Sequence, residues 1–194
     1  MVTVEFTVTL NKSESKEILM FQALQTPRLI LRPTEEKDLV LLAEWESTED
    51  YREFVSASKI KYHLRFLICA RKGKKPVGVL YTFSYNKTDG FVFLNVFLEK
   101  KYRRIGYGAE ACILAICYLF DNFPIYKIYC DAFSSNTQSI AMMRSAGLEQ
   151  EGFLRGHRFY NGMRYDVIRF AVHQSNLVVL KQLLQKFMSR KIRT

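Results

Sequence analysis

Residues 96–111, Val-Phe-Leu-Glu-Lys-Lys-Tyr-Arg-Arg-Ile-Gly-Tyr-Gly-Ala-Glu-Ala, constrain the fold more than any other stretch of the chain. A hydrophobic strand runs through a basic, glycine-containing loop straight into an apolar helix. Gly106 and Gly108 carry no side chain to block close approach, so successive backbone N–H groups at the helix start can point at anionic oxygens. The positive end of the helix dipole adds to their pull. Counted from Arg103 the pattern is Arg-x-x-Gly-x-Gly, a cradle for phosphate.

The rest of the chain supplies alternating strands and helices without repeats. Val2, Val4, Phe6, Val8 and Leu10 alternate with Thr3, Glu5, Thr7 and Thr9, which predicts a half-buried strand. Residues 11–26 stay ambiguous. A strand at 29–32 leads to Thr34, a predicted cap for a helix with Glu35 and Glu36 in its first turn and a body over 38–46. A short helix follows at 49–56. Apolar runs at 62–70 and 77–85 flank a Lys- and Gly-containing turn and read as an antiparallel pair. Asp89-Gly90 turns the chain into a strand at 91–98. The helix after the loop is apolar on every face and should be central. Pro124 ends that connection. A strand at 126–133, a helix at 136–146 closed by Gly147, and a hairpin through Asn161-Gly162 in a type I′ turn complete the pattern.

Downstream of the loop, Asn136-x-x-Ser139, Gly147-Leu148, Glu151-Gly152, Asn161-Gly162 and Asp166 follow one another at set spacing, and Arg28-Leu-Ile-Leu-Arg-Pro33 stands upstream. Together with the loop, this series resembles the GNAT superfamily of acyl-CoA-dependent N-acyltransferases, in the branch typified by ribosomal-protein N-terminal acetyltransferases. The resemblance spans residues 27–173. It implies an α/β (α+β) fold with a mixed, mostly antiparallel sheet of about seven strands flanked by helices, the fourth and fifth strands splayed apart. It divides the chain into an N-terminal extension (1–26), an acetyltransferase core (27–173) and a basic amphipathic helix (174–194).

What the resemblance implies for the site can be carried over residue by residue. Acetyl-CoA is the implied co-substrate, with its pantetheine arm bonding the exposed backbone of the strand at Val96 and Leu98 as an added strand would. Arg103, Arg104, Gly106, Tyr107, Gly108 and Ala109 are implied to surround the pyrophosphate. The branch usually has Gly and Lys where this chain has Arg104 and Ile105, which keeps the charge and changes its placement. Asn136 stands where a helix begins, either as an ordinary N-cap or as a contact to pantetheine or acceptor. Ser139 is the candidate to protonate the departing thiolate, the alternative being a hydroxyl bonded back to a helix carbonyl. Four residues further on, most relatives have a tyrosine; this chain has Met143. The branch can carry a glutamate three residues before the Asn-Gly hairpin, and here that position is Arg158. His157 matches a histidine common in related proteins, acting in catalysis or as a hydrogen-bonded structural group. Glu46, Glu49 and His63 are more distant candidates for a base. No metal is implied.

Without an evident base the acceptor amine is bounded by its own pKa. A lysine-like amine near 10.4 gives up roughly 4.5 kcal/mol to be neutral at pH 7, an α-amine near 7.7–8.0 only about 1 to 1.4. An α-amine, an amino sugar or another weakly basic amine is therefore favoured, attacking the thioester directly in a ternary complex. The acids help: eight of the nineteen lie within 35–53, in elements that flank the acceptor pocket in the family, and would attract a cation.

Composition narrows the alternatives. A chain of 194 residues with 48% hydrophobic content can bury one sizeable core. Cys69, Cys112, Cys117 and Cys130 sit in apolar runs without Cys-x-x-Cys spacing, as reduced core thiols do. No basic region precedes an apolar stretch at the N-terminus, and no run reaches membrane-span length, so the cytoplasm is the default expectation. The net charge of +10 collects at 59–75, 100–104 and 181–193. Two other classes stay open: an acyl-CoA-binding protein without turnover, and a nucleic-acid-associated protein, which needs the basic segments to share a face. Leu177, Leu180, Leu184 and Phe187 with Lys181, Lys186, Arg190 and Lys191 form a basic amphipathic helix, expected to pack on the body or on a second subunit.

Overall fold

The computed structural model describes residues 6–7, 20–21, 23–55 and 62–189. Of the N-terminal strand expected at 2–10, only β1 (Phe6–Thr7) falls among them, paired antiparallel with β2 (Met20–Phe21). The rest of that strand lies outside the described residues, as do Lys59 and Lys61 of the first basic segment and Arg190, Lys191 and Arg193 of the last.

Period-two burial builds the main sheet. Strands β3 (Leu24–Gln25), β4 (Leu29–Pro33), β5 (Tyr62–Ala70), β6 (Lys75–Asn86) and β7 (Phe91–Leu98) follow one another as an antiparallel meander. The turn into β7 closes at Gly90, whose φ of +69° and approach to the Tyr126 backbone leave little room for a side chain. After β7 the chain crosses through α3 (Tyr107–Asn122) to β8 (Lys127–Phe133). It then runs through α4 (Thr137–Ser145) to a hairpin of β9 (Glu149–Tyr160) and β10 (Met163–His173). Asn161 and Gly162 both have positive φ, the type I′ geometry their sequence predicts. Among the described residues the sheet has eight strands in the order β3-β4-β5-β6-β7-β8-β10-β9.

One junction is parallel. β7 and β8 pair only at Phe91 with Lys127, Val92 with Ile128 and Phe93 with Tyr129, and then part. This is the splay that the sequence resemblance implies.

Helices cover the two faces. On one, α3 is buried along its length and packs with Leu29, Leu31, Phe66, Ile68 and Leu80 from the sheet. The helix α5 (Leu177–Met188) lies on α3 through Leu180, Leu184 and Phe187, and Lys181 Nζ reaches Asp121 at 2.7 Å, so it packs on the body. On the other face, α1 (Leu39–Ser47) and α2 (Glu49–Phe54) set Leu42, Trp45, Tyr51 and Val55 against Leu67, Val79, Tyr81 and Phe97. Among the described residues no helix is long and apolar enough to cross a membrane.

Thr34 does not cap the first helix. A 3-10 turn, Glu36–Asp38, precedes α1, and Asp38 accepts the Glu35 N–H at 2.8 Å while its two oxygens hold the Arg32 guanidinium at 2.6 and 2.7 Å. A charge-assisted fork outbids a hydroxyl. The Arg32 bond holds the Asp38 carboxyl below the usual carboxylate range.

Candidate active site

The parting of β7 and β8 opens a cleft of about 1800 Å³ that runs from the start of α3 to the far ends of β5, β6 and β9. At one end is the glycine loop. A 3-10 turn, Lys100–Tyr102, leads to Arg104 at φ +65° and Gly106 at φ +86°, so the chain swings left-handed twice before α3 begins. A Cβ on Gly106 would stand 3.3 Å from Arg28 Nη2, whereas one on Gly108 would meet only Leu98 Cδ1 at an ordinary 3.5 Å.

Beneath the loop lies a charge that the sequence reading passed over. Glu110, in the first turn of α3, is fully buried. One of its oxygens accepts the Thr26 hydroxyl; the other accepts Arg28 Nε at 2.8 Å and also the Arg28 Nη2. Arg28 Nη1 donates to the Ile105 carbonyl at 3.0 Å, and the guanidinium lies over the Tyr107 ring. The turn between β3 and β4 thus grips a carbonyl of the loop itself. The signal was present: Glu110 is the one charged residue between Tyr107 and Phe120.

Val96, Leu98, Arg103, Arg104, Gly106, Gly108, Ala109, Asn136, Ser139 and His157 all line this cleft. Two of these loop residues turn their side chains to other partners. The Tyr107 side chain sits under Arg28, away from the cradle, so it braces the loop from behind. Arg103 sends Nε to the Leu98 carbonyl at 2.8 Å and forks onto Asp50 at 2.9 and 2.6 Å, which fastens the loop to α2. Arg104 and Lys100 are the cations whose side chains stand beside the cradle without an ion pair among the described residues. The Val96 N–H, implied to meet pantetheine, donates to Asn95 Oδ1 at 2.7 Å.

Asn136 is an N-cap, its Oδ1 accepting the Ser139 N–H at 3.1 Å, and it does this at the cleft wall. The Ser139 hydroxyl makes no bond back to a helix carbonyl, unlike Ser145, whose Oγ reaches the Met142 carbonyl at 2.8 Å. Its proton is available to the cleft. Met143 is buried in the same wall and brings no acid.

The far end is assembled from Glu53, Tyr62, His63, Tyr85, His157 and Arg158. His157 is exposed, with no hydrogen bond among the described residues. His63 stacks on Tyr85 at 4.6 Å. Burial raises the Tyr62 hydroxyl, which stays protonated. Of the acids expected to face the acceptor, Glu53 lines the cleft; Glu46 stands 3.8 Å from Arg65, and Glu49 lines a side groove with Arg52 and Tyr160. At the seam, Arg169 forks onto Asp131 at 2.8 Å on both arms and stacks over Phe93.

Cys112 and Cys130 also touch the cleft. Burial pushes the Cys112 thiol up to about 12 and Cys130 well above its ordinary value, so neither offers a thiolate near neutral pH. Among the described residues no group of three or more His, Cys, Asp or Glu is placed to hold a metal ion.

Residues 28–149 match the family described as acetyltransferase (GNAT) domain. The chain belongs to the GNAT acetyltransferase family. The chain is 26% identical over 165 residues to the SPbeta prophage-derived uncharacterized N-acetyltransferase YokL of Bacillus subtilis, covering 85% of this chain and 89% of that one. The spermidine N(1)-acetyltransferase of Escherichia coli K12 is 25% identical over 159 residues, covering 74% and 85%. Among solved structures, spermidine N-acetyltransferase from Vibrio cholerae, in complex with CoA and spermine, superposes with a TM-score of 0.71 at 19% identity, covering 78% of this chain and 98% of that one.

Proposed function

We propose that this chain transfers an acetyl group from acetyl-CoA to a primary amine by direct attack in a ternary complex. The observation that carries the reading is the short β7–β8 pairing, three residue pairs long, which opens a cleft beside a left-handed glycine cradle. The relatives named above support it.

The chemistry follows from the residues in order. Backbone N–H groups of 104–109 and the dipole of α3 take the pyrophosphate, with Arg104 and Lys100 adding charge. Pantetheine runs along β7 at Val96 and Leu98 and displaces the Asn95 carboxamide from the Val96 N–H. The amine reaches the thioester from the far end and forms the C–N bond as the C–S bond breaks. The Ser139 hydroxyl gives its proton to the leaving thiolate and is reprotonated from water, while the proton lost by the amine passes to water or to the exposed imidazole of His157. Both protein α-amines, as in the ribosomal branch, and small amines satisfy this sequence of events.

Thiol release from acetyl-CoA, measured across peptide α-amines, polyamines, amino sugars and aminoglycosides, tests the reading. Gly108→Glu is the control, because its Cβ fits the fold while its carboxylate enters the cradle. Turnover with one class, lost in the variant, is the expected result. CoA binding with no turnover of any amine would make this an acyl-CoA-binding protein.

A further inference from the structure

Every other cation of the cleft has a counter-charge or a place at the cradle. Arg103 is spent on Asp50 and Arg169 on Asp131, and Lys100 and Arg104 stand at the loop. Arg158 differs. It projects from β9 into the far end, half-buried, its guanidinium face on the Phe133 ring at 4.8 Å. Its Nη2 donates to the carbonyls of Arg52 and Val55 at 2.6 and 2.5 Å, which ties it to the end of α2. Those bonds orient the group and leave its charge unbalanced, since no carboxylate pairs with it among the described residues. Burial accordingly works against the cation and pulls its pKa down, and no carboxylate offsets it. The Nε and Nη1 donors have no partner there either. A guanidinium held by two carbonyls, with two donors unused at a cleft wall, is a fork waiting for an anion.

We infer that the acceptor is an amine that also carries an anionic group, a carboxylate or a phosphate, and that Arg158 binds that group. The inference rests on the acetyl-transfer reading and narrows its substrate class. Glu53, at the same end of the cleft, draws the ammonium while Arg158 takes the anion, so the pocket suits a zwitterion better than a polycation. Arg158 acts here in binding, and the bond-making steps stay as described.

The test compares four probes on the CoA-bound protein by calorimetry and, with acetyl-CoA, by thiol release: glutamate, its diamide, O-phosphoethanolamine and spermidine. Wild type should prefer glutamate or phosphoethanolamine over the diamide and spermidine by about tenfold or more. The two anionic probes separate carboxylate from phosphate. Arg158→Gln should erase that ratio through KM with little change in kcat, and Arg158→Lys should restore part of it. A merely structural role at α2 would lower stability in both variants and leave the ratio unmoved, which would overturn the inference. A wild-type preference for spermidine would overturn it too, with acetyl transfer intact. Thiol release from none of the probes would count against the transferase reading alone, because the calorimetric ratio still decides the role of Arg158.

Discussion

At the loop end the cleft is a product of backbone: contiguous residues 103–109, two left-handed turns and a helix start, locked from behind by Arg28 and Glu110. The far end is a product of side chains brought from α2, β5, β6 and β9, with more than a hundred residues between Glu53 and Arg158. The first arrangement suits a ligand common to a whole family, since main-chain amides depend little on which side chains surround them. The second suits an acceptor that differs from member to member, because each contributing element can change alone.

The contrast can be broken at its foundation. Glu110→Gln leaves the Arg28 guanidinium, 22% exposed, without its charge partner, and should cost about 2–4 kcal/mol, a fall in Tm of about 6–15 °C. Adding Arg28→Met should recover part of the loss, as thermal denaturation of the double variant would show. If both ends of the cleft then bind their ligands as before, the bracing is irrelevant to the cradle. Gly108→Glu attacks the loop end alone: Kd for CoA should rise about a hundredfold, equivalent to about 2.7 kcal/mol, with Tm almost unchanged. Ser139→Ala probes the junction between the ends and should lower kcat about tenfold to a hundredfold with KM for acetyl-CoA unaffected.

Effects at the far end should be smaller. Glu53→Gln should raise acceptor KM about two- to fivefold, whereas Glu46→Gln and Glu49→Gln should leave it alone, since neither lines the cleft. Smallest of all, intact mass after incubation with acetyl-CoA and no amine should show no acetyl-enzyme. A thiol near 12 is ionised at pH 7 to about one part in 10⁵.

The same contrast explains what could be read from the chain. The loop, the type I′ hairpin and the buried central helix are local patterns, carried by glycine spacing, an Asn-Gly pair and all-round apolarity, and each is found where the residues put it. The spacing points to Thr34 as a cap because spacing alone cannot show that Asp38 folds back to share Arg32. Glu110 is not legible in this way, because a lone acid in an apolar helix acquires meaning only when Thr26 and Arg28 arrive from the turn between β3 and β4, more than eighty residues earlier. Arg158 could be seen only as a missing glutamate, and its hold on α2 needed the folded chain.

The three-pair seam between β7 and β8 also bears on how the chain folds. Strands β3 to β7 each pair with the next in sequence, through short turns at β3–β4, β5–β6 and β6–β7 and through α1 and α2 between β4 and β5, so this block forms from contacts between successive elements. The seam is the one parallel contact in the sheet, and its two strands meet only after α3 has formed the crossover between them. Stopped-flow folding should therefore show the seam closing after the meander, with the cleft among the last features to take shape.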